Sequence, residues 1–164
     1  MIILGIDPGI AIVGYGLIKM DGNKLTMLEY GCINTSSKSD TPTRLKVIYD
    51  EISDIIKEYN PSELAIEELF FNKNVKTAIT VGQARGVEIL AAANNGLEIY
   101  EYTPLQIKQA VVGYGRAEKH QIQEVVKMIL NLNQIPKPDD AADALAVAIC
   151  HSFAHKFKEE YKMR

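Results

Sequence analysis

Four carboxylates in this chain stand where hydrolytic chemistry could use them. Asp7 closes the apolar run Ile2-Ile3-Leu4-Gly5-Ile6, and Glu67 closes Leu64-Ala65-Ile66. Asp140 and Asp143 lie three residues apart at the start of an alanine-rich stretch. Each has an ordinary explanation when taken alone. Asp-Pro-Gly is common turn chemistry, a strand end is often solvated, and Asp in a first helical turn caps the helix and complements its dipole. Together they point further. A strand-end Asp, a strand-end Glu and a helical Asp-x-x-Asp can meet at the carboxyl edge of a sheet, where ligands of α/β folds bind. Like charges gathered there repel one another and call for a counter-charge. Carboxylate oxygens are hard ligands suited to Mg²⁺, with Mn²⁺ as a substitute. Two such ions can hold both the attacking and the leaving oxygen of a phosphodiester. The implied reaction is phosphodiester hydrolysis by water.

No Ser-His-Asp or Cys-His arrangement competes with this reading. His120 reads as a surface helix residue, and His151 and His155 share a helix face without the third ligand a zinc site needs. Cys32 and Cys150 stand in no metal or redox spacing, so a reducing cytoplasm is the expected setting. The apolar start is cut by Asp7 and lacks a basic segment, so no secretory leader is expected, and no apolar run is long enough to cross a membrane.

The elements that must position these residues are legible from periodicity. Residues 1–7 read as a strand buried on both faces. Ala11 to Met20 and Lys24 to Thr35 read as two further strands joined at the hairpin signal Asp21-Gly22-Asn23. Thr41-Pro42 looks like the cap and first position of a helix carrying Leu45, Ile48, Ile52, Ile55 and Tyr59, which Pro61 ends. A strand at Leu64 to Glu67, a helix at Val75 to Asn94 and a strand at Leu97 to Tyr102 follow. Thr103-Pro104 caps a short helix to Val112, a second runs from Glu118 to Leu132, and a last one starts near Pro138 and continues through Ala148. The expectation is an α/β domain over 1–155, with a mixed five-stranded sheet and helices on both faces, and a charged tail over 156–164. The net charge of −3 argues weakly against nucleic acid, but the acidic excess sits in residues 1–72 while 73–127 are locally basic.

Several segments in order carry a family resemblance: Gly5-Ile6-Asp7-Pro8-Gly9, Gly14-Tyr15-Gly16, Ala65-Ile66-Glu67, Gly82-Gln83-Ala84-Arg85-Gly86, Val111-Val112-Gly113-Tyr114-Gly115 with Ala117-Glu118-Lys119, and Asp140-Ala141-Ala142-Asp143-Ala144-Leu145-Ala146. The set resembles the bacterial RuvC Holliday junction resolvases and covers residues 2 to about 150. The resemblance implies a ribonuclease-H-like fold, a homodimer and paired symmetric nicks across a four-way DNA junction in recombination and repair. It implies two Mg²⁺ ions per active site on Asp7, Glu67, Asp140 and Asp143, with Glu68 and Asp139 as neighbours only. Lys119 is implied as a catalytic cation, and Lys108 as a basic residue near the junction. Phe70 matches the aromatic placed near the junction centre, although Phe71 beside it offers a second ring for stacking. The polar loop with Lys73 and Lys76, together with Arg116, suits phosphate contacts. Gly82, Ala84 and Gly86 put small residues on a helix where glycine costs roughly 1 kcal/mol against alanine, and the resemblance makes that helix a dimer interface. It also implies the RuvA and RuvB branch-migration proteins as partners.

Two other classes share parts of this pattern. The opening Gly-Ile-Asp-x-Gly also begins actin- and sugar-kinase-like ATPases, but those need two lobes and a longer chain, and do not predict the Asp-x-x-Asp helix. A junction-binding module without activity would not be expected to keep four negative charges beside phosphates.

Overall fold

The computed structural model describes residues 1–69 and 75–164, and the side chains of Val75 and Lys76 lie outside the described set. Its core is one five-stranded sheet. β1 (Ile2–Asp7), β2 (Ile12–Asp21) and β3 (Lys24–Asn34) form the expected antiparallel meander. β4 (Glu63–Glu67) adds to β1 in parallel, and β5 (Glu98–Tyr102) adds to β4 in parallel, giving the order β3-β2-β1-β4-β5. The β1–β4 pairing sets Ile6 beside Ile66, so Asp7 and Glu67 leave neighbouring strands at the same level.

Helices cover both faces. α1 (Thr41–Tyr59) and α2 (Val75–Asn94) pack on one, burying Ile48, Ile52, Ala84, Ala91 and Ala92 against Leu4, Ile6, Leu17 and Ile66. α3 (Pro104–Val112), α4 (Lys119–Ile129) and α5 (Asp139–Ala154) cover the other, where Ile107, Val126 and Leu145 meet Ile3, Ile18, Ala65 and Tyr102. The alternation along β1, Ile3 to one side and Leu4 and Ile6 to the other, is the strand period of two at work.

Two helix ends differ from their sequence signals: α4 stops at Ile129 rather than Leu132, before Asn131 turns left-handed, and the cap of α1 shifts by one residue. Thr103 caps α3 and is joined to Gln106 in a reciprocal box, with hydrogen bonds of 3.2 and 2.8 Å. The cap of α1 is Asp40 rather than Thr41; the Asp40 carboxylate accepts from the Thr43 amide at 2.9 Å, and Pro42 falls within the first turn. A carboxylate reaches that amide more favourably than the threonine one position later. Helix α1 ends on Asn60 in the left-handed region, one residue before Pro61.

The C-terminal segment docks onto the sheet rather than fraying. α5 runs to Ala154, a 3₁₀ turn spans His155–Glu160, and Lys162 bridges antiparallel to Tyr100 of β5. The Tyr161 ring packs on Tyr102 with centroids 4.8 Å apart. Among the described residues, no helix is long and apolar enough to cross a membrane.

Candidate active site

α5 lies on the sheet at main-chain contact. A Cβ built on Gly5 would fall 2.1 Å from the Ala144 carbonyl oxygen, and one on Gly14 would fall 2.0 Å from that of Asp140. Only glycine admits so close an approach. The alanines along α5 (Ala141, Ala142, Ala144, Ala146 and Ala148) are all buried and keep the helix low. Because Gly14 pairs with Asp7 across the β1–β2 ladder, the first turn of α5 is set down beside the end of β1. Asp140 and Asp143 thus reach the edge where Asp7 and Glu67 emerge.

Electrostatics register the convergence. The Asp7 carboxyl is pushed up from 3.8 to about 8, first by burial and then by Glu67, Asp143 and Asp140, while Lys119 pulls it back. Burial and Asp143 raise Glu67 from 4.5 to about 7 against the pull of Lys108 and Lys119. Asp143 is also raised, by burial first, although its bond to Lys119 opposes the shift. The expected carboxylates therefore share one field, and both Lys108 and Lys119 act within it.

Lys119 is the first residue of α4, where the helix dipole disfavours a cation. Its ammonium is 2.9 Å from the Asp143 carboxylate and 3.5 Å from that of Asp139. Those two partners hold its pKa up although burial acts the other way. Asp139, which shares that ammonium with Asp143, also accepts from the Gln123 amide at 3.1 Å. Glu68 extends the β4 ladder, its amide donating to the Tyr102 carbonyl at 2.9 Å. A cleft of about 270 Å³ opens beside the cluster, lined by Glu67, Lys108, Lys119 and Asp143 on a floor that includes Ile107 and Ile122.

A family model described as crossover junction endodeoxyribonuclease RuvC matches residues 3–151. The chain belongs to the RuvC family. Crossover junction endodeoxyribonuclease RuvC of Finegoldia magna is 67% identical over 164 residues and that of Alkaliphilus oremlandii 63%, each with full coverage of both chains. The RuvC structure of Thermus thermophilus superposes with a TM-score of 0.90 at 34% identity, covering 99% of each chain. The same organism's RuvC in complex with Holliday junction substrate gives 0.88 at 32%, covering 96% of each. The yeast mitochondrial resolvase Ydc2, 14% identical with a TM-score of 0.68 over 97% of this chain and 80% of its own, shares the fold. The ribonuclease-H-like arrangement expected of the RuvC family is thus the one observed.

Other expected site residues divide. Arg116 is exposed in the α3–α4 loop. Phe70 and Lys73 lie outside the described residues, as does the side chain of Lys76. Gly82 and Gly86 face open space on the outer side of α2, in a stripe with the exposed Ile79 and Leu90. Ala84 does not share that side: it is fully buried against the sheet, because a two-residue step along a helix crosses to the opposite face.

Sequence reasoning missed two residues beside the site, Arg85 and Glu88. Arg85 donates from Nε to the Glu67 carbonyl at 3.1 Å and from its terminal nitrogen to Glu101 at 2.9 Å. Glu88 is fully buried and accepts from the Gly9 amide at 3.4 Å through Oε1. Burial raises its carboxyl to about 8, the Gly9 amide opposing and Asp7 adding to the shift. A sequence signal existed, since Glu88 interrupts the buried stripe of Ala84, Ala91 and Ala92.

Proposed function

We propose that this chain is a DNA endonuclease that hydrolyses phosphodiester bonds at four-way junctions, with Mg²⁺ or Mn²⁺ held by Asp7, Glu67, Asp140 and Asp143. The observation that carries this reading is the gathering of these carboxylates on one sheet edge, with Asp7 and Glu67 held at about 8 and about 7. Such a cluster fits a hard divalent cation, the charge that would return both groups to their ionised form. As they stand, no three of the described side chains close tightly enough to ligate one ion, and Asp143 is paired with Lys119. When bound, the metal supplies Lewis-acid polarisation of the phosphate and a more acidic water.

The chain's own groups do the rest. Asp7 and Glu67 are carried by adjacent strands, and Asp140 and Asp143 by a helix that the glycines hold against those strands, so loading would call on side-chain rotation rather than main-chain movement. Lys119, lining the cleft beside Asp143, offsets negative charge developing on the phosphate. Lys108, on the cleft wall, orients a neighbouring phosphate, and Arg116, exposed in the α3–α4 loop, offers a further phosphate contact. The exposed stripe of Ile79, Gly82, Gly86 and Leu90 suits close packing of α2 on its two-fold copy. A homodimer would present two such sites to the two equivalent strands of a junction. Its setting would be the cytoplasm, in recombination and repair, with RuvA and RuvB as partners.

The test is a labelled four-way junction with a mobile core, incubated with Mg²⁺ and either wild type or Asp7→Asn, with linear duplex as control. Paired symmetric nicks by wild type alone are expected. Tight binding without nicks by either protein would instead indicate a binding module.

A further inference from the structure

We propose that Arg85 and Glu88, on the sheet-facing side of α2, are positioning residues that set Glu67 and Asp7 for the metal site. The inference rests on the metal reading above.

The two side chains leave the same helix less than one turn apart and reach the two strands that end in ligands. Arg85 fixes the carbonyl of Glu67 itself and ties the end of β4 to Glu101 of β5. Glu88 meets the amide of Gly9, two residues past Asp7, in the turn that follows β1. Neither touches a side chain of the carboxylate cluster among the described hydrogen bonds and ion pairs, so both act through the main chain that aims it.

Glu88 has no adequate explanation as a core residue. It sits at 0% exposure on the helix face of the buried Ala84, Ala91 and Ala92, and among the described residues its Oε2 has no hydrogen-bond partner. An unpaired polar atom so buried destabilises a fold, and an alanine or leucine would complete the stripe without that cost. Among the described residues its one hydrogen bond comes from Gly9 of the Asp7-Pro8-Gly9 turn. Groups that orient metal ligands from behind, when removed, commonly weaken metal affinity by about 10- to 100-fold.

The test measures Mn²⁺ binding to the free enzyme by the loss of the free-ion paramagnetic resonance signal, alongside junction binding in EDTA and the thermal midpoint. Wild type, Glu88→Ala, Glu88→Gln and Arg85→Met are compared. Glu88→Ala and Arg85→Met should weaken Mn²⁺ binding about tenfold or more while leaving EDTA-state junction binding within about threefold. Glu88→Gln keeps an oxygen for the Gly9 amide and should restore Mn²⁺ affinity to within about threefold of wild type. Wild-type Mn²⁺ affinity in Glu88→Ala, or in Arg85→Met should Glu88→Ala not fold, would overturn the positioning role alone. So would equal losses in Glu88→Gln and Glu88→Ala. Failure of wild type itself to bind Mn²⁺ more tightly than Asp7→Asn would remove the metal reading, and this inference with it.

Discussion

The ammonium of Lys119 lies 2.9 Å from the carboxylate of Asp143, joining the first residue of α4 to the second turn of α5. This is a cation held at the wrong end of a helix by a proposed metal ligand. The same ammonium lines the cleft, where it would face negative charge developing on a bound phosphate. Lys119→Ala is therefore expected to slow junction cleavage by about 10²-fold or more. Junction affinity measured without metal should change far less. Equal losses in rate and affinity would make Lys119 a phosphate contact only.

Asp7 and Glu67 predict a specific pH response. Both carboxyls are raised in the fold, to about 8 and about 7, against 3.8 and 4.5 ordinarily. The folded protein therefore keeps protons that the unfolded chain releases, and without metal these groups cost more stability as pH rises from about 4 to 8. Metal needs the ionised forms, so its apparent affinity should climb over the upper part of that interval. Excess Mn²⁺ should raise the thermal midpoint more at about pH 8 than at about pH 6. A metal-induced shift that is flat with pH would contradict the coupling.

At the opposite end of β4, the buried His151 of α5 pairs through Nε2 with Glu63 at 2.7 Å and through Nδ1 with the Tyr102 hydroxyl at 2.6 Å. Lys158 of the C-terminal segment also donates to Glu63. Burial would raise the Glu63 carboxyl, but hydrogen bonds from Lys158 and His151 outweigh it and hold it low. Burial holds His151 below its ordinary 6.5 despite Glu63. Both shifts give stability that is lost on acidification, from His151 below about 6.5 and from Glu63 below about 4.5. His151→Leu leaves Glu63 and the Tyr102 hydroxyl short of a partner, and should cost about 3 kcal/mol in urea unfolding. A loss under about 1 kcal/mol would show the network to be dispensable.

Gly14 provides a test of the helix seat. A methyl group there would meet the Asp140 carbonyl carbon at 2.5 Å as well as its oxygen, and neither atom belongs to a side chain that can swing away. Gly14→Ala should destabilise by about 1–3 kcal/mol. It should also reduce cleavage beyond what the stability loss explains, because the start of α5 must lift. Full activity at a temperature where the variant is folded would show that Asp140 need not hold its place.

The parts legible in the sequence were those governed by short-range rules. Strand-end carboxylates, the Asp21-Gly22-Asn23 hairpin and the Thr103 cap each follow from residues within a few positions. The α5 carboxylates were legible because alanines beside them announce a close approach. What escaped depends on contacts between distant segments. Glu88 looks like one more polar helix residue until α2 is laid on the sheet, and Ala84 joined Gly82 and Gly86 only by proximity in the chain. Likewise, the charged tail gains its place from Glu63, Glu98 and Tyr102, whose partners Lys158, Lys162 and Tyr161 lie far along the chain, 95 residues away for the Glu63 pair and 64 for the Glu98 pair.

The seating of α5 on Gly5 and Gly14 also bears on how this enzyme can be redesigned. Where side chains meet side chains, a larger residue on one partner can be matched by a smaller one opposite. Here one partner is already glycine and the other is peptide backbone, so no complementary exchange exists. Libraries meant to retune substrate choice should hold this seam constant and place their diversity on the cleft wall around Pro104 and Lys108. There, a new side chain alters what the enzyme grips without moving what it cuts with.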